Sequence, residues 1–468
     1  MLTTNAYRVS IGGQSVTKCV HNYAISRALS RAILRGQDPQ EVEAMPVFQF
    51  TSGDRLAYSQ RRSVYVWGYA GGGALGRLGL VRRRQYKFGS VLPPIECRSA
   101  PMKSDFIDYK TKVTDVSAGF GFTVIAAVCP DSPHRLFGTG INTDCQIGLQ
   151  SDPRPPDKPL ACLLKPVAIR LPIGSKDRVV RVSCGRSHTI CLTSAAEIYS
   201  LGNNAFGQCG RPVVDNEIYF PSHRIHQIKE IDDKVVDVVC GQDHSLFLTQ
   251  NGSVYSCGWG ADGQTGLGHY RNQGLPVKLK GDIEGEKIVQ LSSAADSVLA
   301  LNDKGDVFCW GNSEYSQFES ITDEKQLNIP RNVTFSHIKG KVVNVCAGGS
   351  LCAIVNDLGN VYVWGYGILG MGPKVDHLKT PTLLPMPLFG ANEFNPDVKV
   401  VRVEGSFNHL AAITNKGDLY MWGKNTDGCL GLGHRADQYF PFRVCVPAFV
   451  RKVSLGINHT IIIGSSLV

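Results

Sequence analysis

At 468 residues, with 43% hydrophobic and 19% charged positions, the chain can bury a large core and is not a disordered polypeptide. Glycine fills 50 positions, a turn-dense share that a helical bundle does not need. No run of about 18 apolar residues is present to cross a bilayer as a helix, and the 15 cysteines, without a C-x-x-C pair, read as buried reduced thiols rather than zinc ligands.

The first 37 residues carry Arg8, Lys18, Arg27, Arg31 and Arg35 and no Asp or Glu. Within them Ile25, Leu29 and Ile33 recur at helical spacing, while Arg27, Arg31 and Arg35 fall about 200° around the same helix. One side is apolar and the other cationic, which is the chemistry of a mitochondrial transit segment; a solvated basic helix is the plainer alternative. Residues 1–45 are therefore expected to be leader and linker, with residues 46–468 as the folded domain. The formal net charge of +9 drops to about +4 once the five leader cations are set aside, so overall basicity says little about nucleic acid. Arg82-Arg83-Arg84 with Lys87 is a more local signal, either a phosphate-contacting cluster or a solvated run.

From residue 64 onward one phrase recurs seven times: a β-type residue, an aromatic or apolar one, then Gly and a turn rich in Gly, Asn and Asp. Its copies are Val64-Tyr65-Val66-Trp67-Gly68, Arg135-Leu136-Phe137-Gly138 (one residue short), Ile198-Tyr199-Ser200-Leu201-Gly202, Val254-Tyr255-Ser256-Cys257-Gly258, Val307-Phe308-Cys309-Trp310-Gly311, Val361-Tyr362-Val363-Trp364-Gly365 and Leu419-Tyr420-Met421-Trp422-Gly423. Several run on into endings such as Gly207-Gln208-Cys209-Gly210 and Gly263-Gln264-Thr265-Gly266, and the fifth has decayed to Ser316-Gln317-Phe318-Glu319.

A second phrase alternates with the first: a valine-rich strand, Cys-Gly or Ala-Gly, a few polar residues that often include His, then an apolar strand. Clear copies are Ser183-Cys184-Gly185-Arg186-Ser187-His188, Val239-Cys240-Gly241-Gln242-Asp243-His244, Glu404-Gly405-Ser406-Phe407-Asn408-His409 and Leu455-Gly456-Ile457-Asn458-His459. Together the phrases spell strand, Gly turn, strand, tight turn such as Asn251-Gly252, strand and a long return: a β-meander. Its period, roughly 53 to 71 residues, exceeds that of the common short repeats. The chain opens its first unit with the strand at Tyr65–Trp67 and ends on Val453-Ser454-Leu455 and Thr460-Ile461-Ile462-Ile463, the strands that unit lacks. The expected fold is an all-β, seven-bladed β-propeller closed by pairing of N- and C-terminal strands.

With both phrases placed, the chain resembles the regulator of chromosome condensation superfamily over roughly residues 60–468. The resemblance implies a scaffold that binds macromolecules on its faces, some relatives promoting nucleotide exchange on small GTPases. Combined with the leader, it implies a protein of the mitochondrial matrix, including peripheral association with the inner membrane. The partners implied are ribosomal RNA of the large subunit with its assembly factors, pseudouridine synthases among them, or a dynamin-like GTPase of inner-membrane fusion. It implies no cofactor. Acidic and His residues just after the Cys-Gly turn serve exchange in the chromatin-bound relative; the matching positions are Asp243 and His244, with His188, His409 and His459. Arg186 stands where an acid is expected, and no clear wedge-like insertion is seen.

From the residues themselves, four His at one repeat position read more simply as turn braces than as catalytic or metal groups. The run Gly258-x-Gly260-x-x-Gly263 follows a meander strand and opens no helix, so it is a turn and not a dinucleotide site. No P-loop is present and no Ser, His, Asp set stands out. Enzymatic chemistry is not expected.

Overall fold

In a computed structural model the described residues are 58–77, 97–107, 110–152 and 158–467. The leader and Arg82, Arg83, Arg84 and Lys87 lie outside them. The described residues form seven antiparallel four-stranded sheets, the blades of a β-propeller. Blade 1 joins Tyr58–Tyr69 and Cys97–Lys103 to Ala448–Leu455 and His459–Leu467, and blades 2 to 7 follow in chain order with innermost strands Lys112–Ala118, Val179–Cys184, Val235–Cys240, Ile288–Ser292, Val342–Ala347 and Val400–Gly405.

Closure falls where the sequence places it. Val64 opposes Ile463, Val66 opposes Ile461 and Gly68 opposes His459. The N-terminal part gives blade 1 two strands rather than one, because Cys97–Lys103 pairs on the outer side of Tyr58–Tyr69. In chain order Arg82 to Lys87 fall between the residues of those two strands.

The glycine that ends the first phrase has a physical reason. Gly68 sits at φ +103°, and a Cβ there would fall 2.5 Å from the carbonyl oxygen of Asn458. In blade 2 that position is Gly140 at φ +108°, paired with Phe122, and not Gly138. The second copy is therefore full length, Leu136-Phe137-Gly138-Thr139-Gly140, and Gly138 merely makes room for Ile147.

Apolar cores lie between neighbouring blades rather than inside one. Trp67, Tyr65 and Ile462 of blade 1 pack on Ile413 and Met421 of blade 7, while Val64 and Ile461 pack on Val116 and Phe137 of blade 2. Indole N–H groups tie the same interfaces: Trp67 donates to Cys429 O (2.7 Å), Trp310 to Gln264 O (3.0 Å) and Trp364 to Gln317 O (2.7 Å), each in the preceding blade. Trp422 is buried against blade 6 with its N–H unpartnered among the described residues.

The innermost strand of each blade has an edge without a ladder partner, and in blades 2, 3, 4, 6 and 7 the preceding blade supplies acceptors for it. Ser117, Ser183, Ser292 and Ser454 hydroxyls accept from the N–H groups of Cys184, Cys240, Ala347 and Ala118 at 2.8 to 3.0 Å. Carboxylate and amide oxygens of Asp115, Gln290 and Asn344 accept from Val182, Val345 and Val403 at 2.7 to 3.2 Å. At the outer edge, the fourth strands of six blades each contain a proline, among them Pro276, Pro330 and Pro441, which blunts pairing with another chain.

A ring shut by backbone pairing unfolds as one unit. Truncation after residue 447 removes two of the four strands of blade 1, and loss of the single cooperative melting transition is the expected outcome. A truncated protein that melts like the full chain would contradict closure as the source of cooperativity.

Candidate functional site

The turn after each innermost strand carries the residues singled out by the second phrase. The N–H of Gly185 donates to His188 O (3.0 Å), and the same bond forms at Gly241 and His244 (3.0 Å) and at Gly456 and His459 (2.8 Å). In blade 7 it runs from Ser406 to His409 O (2.9 Å), so Ser406, not Gly405, occupies the turn position. At Gly185 and Gly241 a Cβ would fall 2.2 and 2.0 Å from the Cε1 of His188 and His244, so each ring packs directly against the turn backbone.

His188, His244, His409 and His459 are at most 1% exposed. Three of them reach into the next blade: His188 Nε2 meets Ser245 Oγ (3.0 Å), His459 Nε2 meets Thr123 Oγ1 (2.9 Å) and His244 Nε2 meets Ser293 Oγ (3.3 Å). Burial pushes the ring pKa down to about 3 at His188 and His244 and to about 4 at His409 and His459. They are neutral braces inside the ring, and as interaction residues they are corrected: a docking partner cannot touch a ring that the next blade covers.

Asp243 differs. It is 6% exposed and takes both Arg186 guanidinium contacts, Nη2 to Oδ2 at 2.6 Å and Nε to Oδ1 at 3.2 Å. Burial raises its carboxyl, and Arg186 opposes the rise. Arg186 is thus the clamp for the acid of the next blade rather than a misplaced member of an acidic series. Beside them Asp296 accepts from Gln264 Nε2 (3.0 Å), and burial pushes its carboxyl up to about 6, with Asp262 and Asp243 adding to the rise.

The innermost strands enclose a cavity of about 380 Å³. Phe120 of blade 2 and Phe407 of blade 7, both lining it, meet edge to face at 5.1 Å. Its wall carries ion pairs: Lys452 with Asp115, Arg181 with Asp237 (3.4 Å) and Arg402 with Glu404 (2.5 Å). Among the described residues no group of three or more His, Cys, Asp or Glu could hold a metal ion. The described cysteines are free, most are buried, and burial pushes thiols such as Cys191 and Cys240 up to about 12, so they stay protonated.

Sequence reading missed two features of this region. One is the polar position four residues ahead of each turn, occupied by Asp115, Arg181, Asp237, Gln290, Asn344, Arg402 and Lys452; the fixed spacing was the available signal. The other is a loop brace in which a Gln side chain accepts its own backbone N–H two residues earlier, at Gln146, Gln208, Gln264 and Gln317 (2.9 to 3.0 Å). Blades 2 and 5 hid it because Cys145 and Ser316 hold the positive-φ position that Gly207 and Gly263 fill elsewhere.

Fold and turn together define a propeller of Gly-turn repeats whose recurring polar groups serve the inside of the ring. The RCC1-like domain family matches residues 136–466. The mouse RCC1-like G exchanging factor-like protein is 43% identical, covering 92% of this chain and 93% of its own, and the human protein of that name is 42% identical over 91% and 90%. The crystal structure of human WBSCR16 superposes with a TM-score of 0.81 at 43% identity, covering 87% of this chain and 100% of that one. Yeast RCC1 (Prp20), at 18% identity and a TM-score of 0.67, shares the fold. The chain belongs to the RCC1-like family.

The raised carboxyl of Asp296 gives a signed prediction. Its folded pKa lies above the unfolded value, so the ionised form costs stability above about pH 6, and the cost fades as pH falls toward 4. Asp296→Asn, which keeps the acceptor for Gln264, should raise stability by about 1–3 kcal/mol at pH 8. The gain should shrink toward pH 5, read by urea unfolding at both values; a loss at pH 8 would contradict it.

Proposed function

We propose that the protein is a mitochondrial scaffold supporting large-subunit ribosome biogenesis and ribosomal RNA maturation together with pseudouridine synthases, working in the matrix or at the inner-membrane surface. The observation that carries this reading is the inward turn of the repeat's chemistry: the four His are buried and neutral, and Asp243 is clamped by Arg186. What remains to offer a partner is surface. Arg82, Arg83, Arg84 and Lys87, which in chain order fall between Tyr58–Tyr69 and Cys97–Lys103, are the candidates for phosphate contact. Crosslinking in isolated mitochondria should recover large-subunit ribosomal RNA, and replacing the four cations by Gln should remove most of it. In vitro, RNA affinity should fall with salt by a log–log slope of about 0.7 per phosphate contacted, and the variant should have the shallower slope. Recovery no greater than that of a control matrix protein would defeat the reading.

A second reading, nucleotide exchange on the dynamin-like GTPase of inner-membrane fusion, is favoured by the name of the mouse and human relatives, G exchanging factor-like. Such a factor needs no cofactor; it binds the nucleotide-free GTPase more tightly than the loaded one and so shifts its population. On the turn face the exposed charged side chain is Arg186, 44% exposed while clamping Asp243, with Asn408 and Ile457 exposed on other turns. Release of labelled GDP should accelerate with propeller concentration and weaken in Arg186→Gln. No acceleration at saturation would sink this alternative.

A further inference from the structure

The end of the ring opposite the turns carries a pattern that neither function uses. At the start of the innermost strand, two residues ahead of its bulge, six of the seven repeats place a cation: Lys112, Arg178, Lys234, Lys287, Lys341 and Lys399, with Phe449 in the seventh. All six are exposed. Backbone bonds show their equivalence, because the carbonyls of Arg178, Lys234, Lys287, Lys341 and Lys399 each accept from the tight turn of the same blade at 2.7 to 3.0 Å. Two stems are also seated: a Cβ on Gly305 or Gly359 of the preceding blade's turn would fall 2.5 Å from the side chain of Lys341 or Lys399, and Gly252 packs in the same way on the backbone of Lys287. The aliphatic stem rests on a bare backbone while the ammonium group stays in water.

Two residues further on, every innermost strand bulges. Register shifts at Val235/Asp237, Ile288/Gln290, Val342/Asn344 and Val400/Arg402 leave the middle residue outside the ladder. Those residues are Val236, Val289, Val343 and Val401, exposed at 40%, 48%, 43% and 48%. Thr114 and Arg451, at the same repeat position, line the central cavity. Four successive blades thus set an aliphatic crescent inside a cationic rim.

We propose that this rim and crescent form a docking site for an acidic peptide segment with aliphatic side chains, carried by a protein partner. The valines are uncovered apolar area, which gains from an apolar occupant, and carboxylates complement the cations. Lys112, Arg178, Lys234 and Lys399 make no ion pair among the described residues; Lys287 has Asp303 at 3.8 Å, and Lys341 donates to the carbonyl of Asp303. A polyanion is the poorer fit. Exposed Asp232, Asp303, Asp357 and Asp397 stand among the lysines and repel a continuous phosphate chain or an anionic bilayer, whereas a short peptide can set its carboxylates at the cations alone. The crescent also offers aliphatic rather than aromatic side chains, which suits leucine-like groups better than bases.

The test is fluorescence anisotropy on the full chain with a labelled peptide of about twelve residues alternating Glu and Leu. Val289→Thr, Val343→Thr and Val401→Thr together change exposed, near-isosteric positions and should weaken binding about five- to tenfold with the melting transition unchanged. Lys287→Gln, Lys341→Gln and Lys399→Gln together should weaken it at least about tenfold. Arg186→Gln, at the other end of the ring, should leave it unchanged. An all-Glu peptide of the same length should bind more weakly and ignore the valine changes. Affinity that is indifferent to the valine triple or to the lysine triple overturns the proposal. So does tighter binding of single-stranded RNA, or of phosphatidylcholine–cardiolipin vesicles, that depends on the lysines and not on the valines.

Discussion

The edge of each blade nearest the axis is a row of backbone N–H groups with no strand beside it, and in blades 2, 3, 4, 6 and 7 the ring depends on the preceding blade to supply acceptors for them. Leaving such a donor buried and unpaired costs about 1–3 kcal/mol, while a met bond returns about 1 kcal/mol net. The hub therefore cannot be uniformly apolar. Serines at Ser117, Ser183, Ser292 and Ser454, and longer acceptors at Asp115, Gln290 and Asn344, are present because seven open edges converge on one axis. Where the polar residue is charged, it is paired along the cavity wall, as Lys452 is with Asp115. Outside the hub the same logic of reaching one blade over is served by apolar packing and by indole donors, so stability is a property of interfaces between blades.

That arrangement explains why the fold was legible and the site was not. Strand number, order and closure rest on glycine and on alternating apolar runs, and both leave letters that recur: Gly68, Gly202, Gly258 and their counterparts stand where a side chain would strike the neighbouring strand. Side-chain roles leave weaker marks. In blade 2 the letters Gly138 and Gly140 compete for one position, and backbone geometry rather than composition decides for Gly140. In blade 7 a serine stands in the turn, and the glycine beside it misdirects the alignment. Cys145 and Ser316 adopt a conformation usually left to glycine, which concealed two of the loop braces that Gln146 and Gln317 form.

The histidines show the limit of carrying a role from residue type. A recurring His after a turn suggests exchange chemistry by resemblance and bracing by physics, and burial decides between them. A ring whose pKa burial lowers to about 3 or 4 carries no charge at neutral pH and offers nothing to a partner's surface. Arg186 makes the complementary case. Unlike the residues of the other turns it is a cation, and the reason lies one blade away in Asp243, which no reading of a single repeat can supply.

Sevenfold repetition and recognition thus divide the molecule between them. Positions that do the same thing in most blades, such as the turn glycine or the hub serine, are fixed by contacts with the next blade and are hidden by those contacts. Positions that point away are released from that requirement and differ around the ring. The connections between third and fourth strands are long in blades 1 to 3, at 70–96, 142–161 and 203–225, and short in blades 4 to 7, at 259–272, 313–325, 367–376 and 424–437. The bulge position is aliphatic and exposed on blades 4 to 7 but polar on blades 1 and 2, where Arg451 and Thr114 occupy it. A symmetric ring presents each feature seven times and gives a partner no preferred orientation. These departures break the symmetry, one at the turn end of the ring and the other at the opposite end. A macromolecule bound at either end would be held in a single rotational setting, which is the geometric property a scaffold for ordered assembly requires.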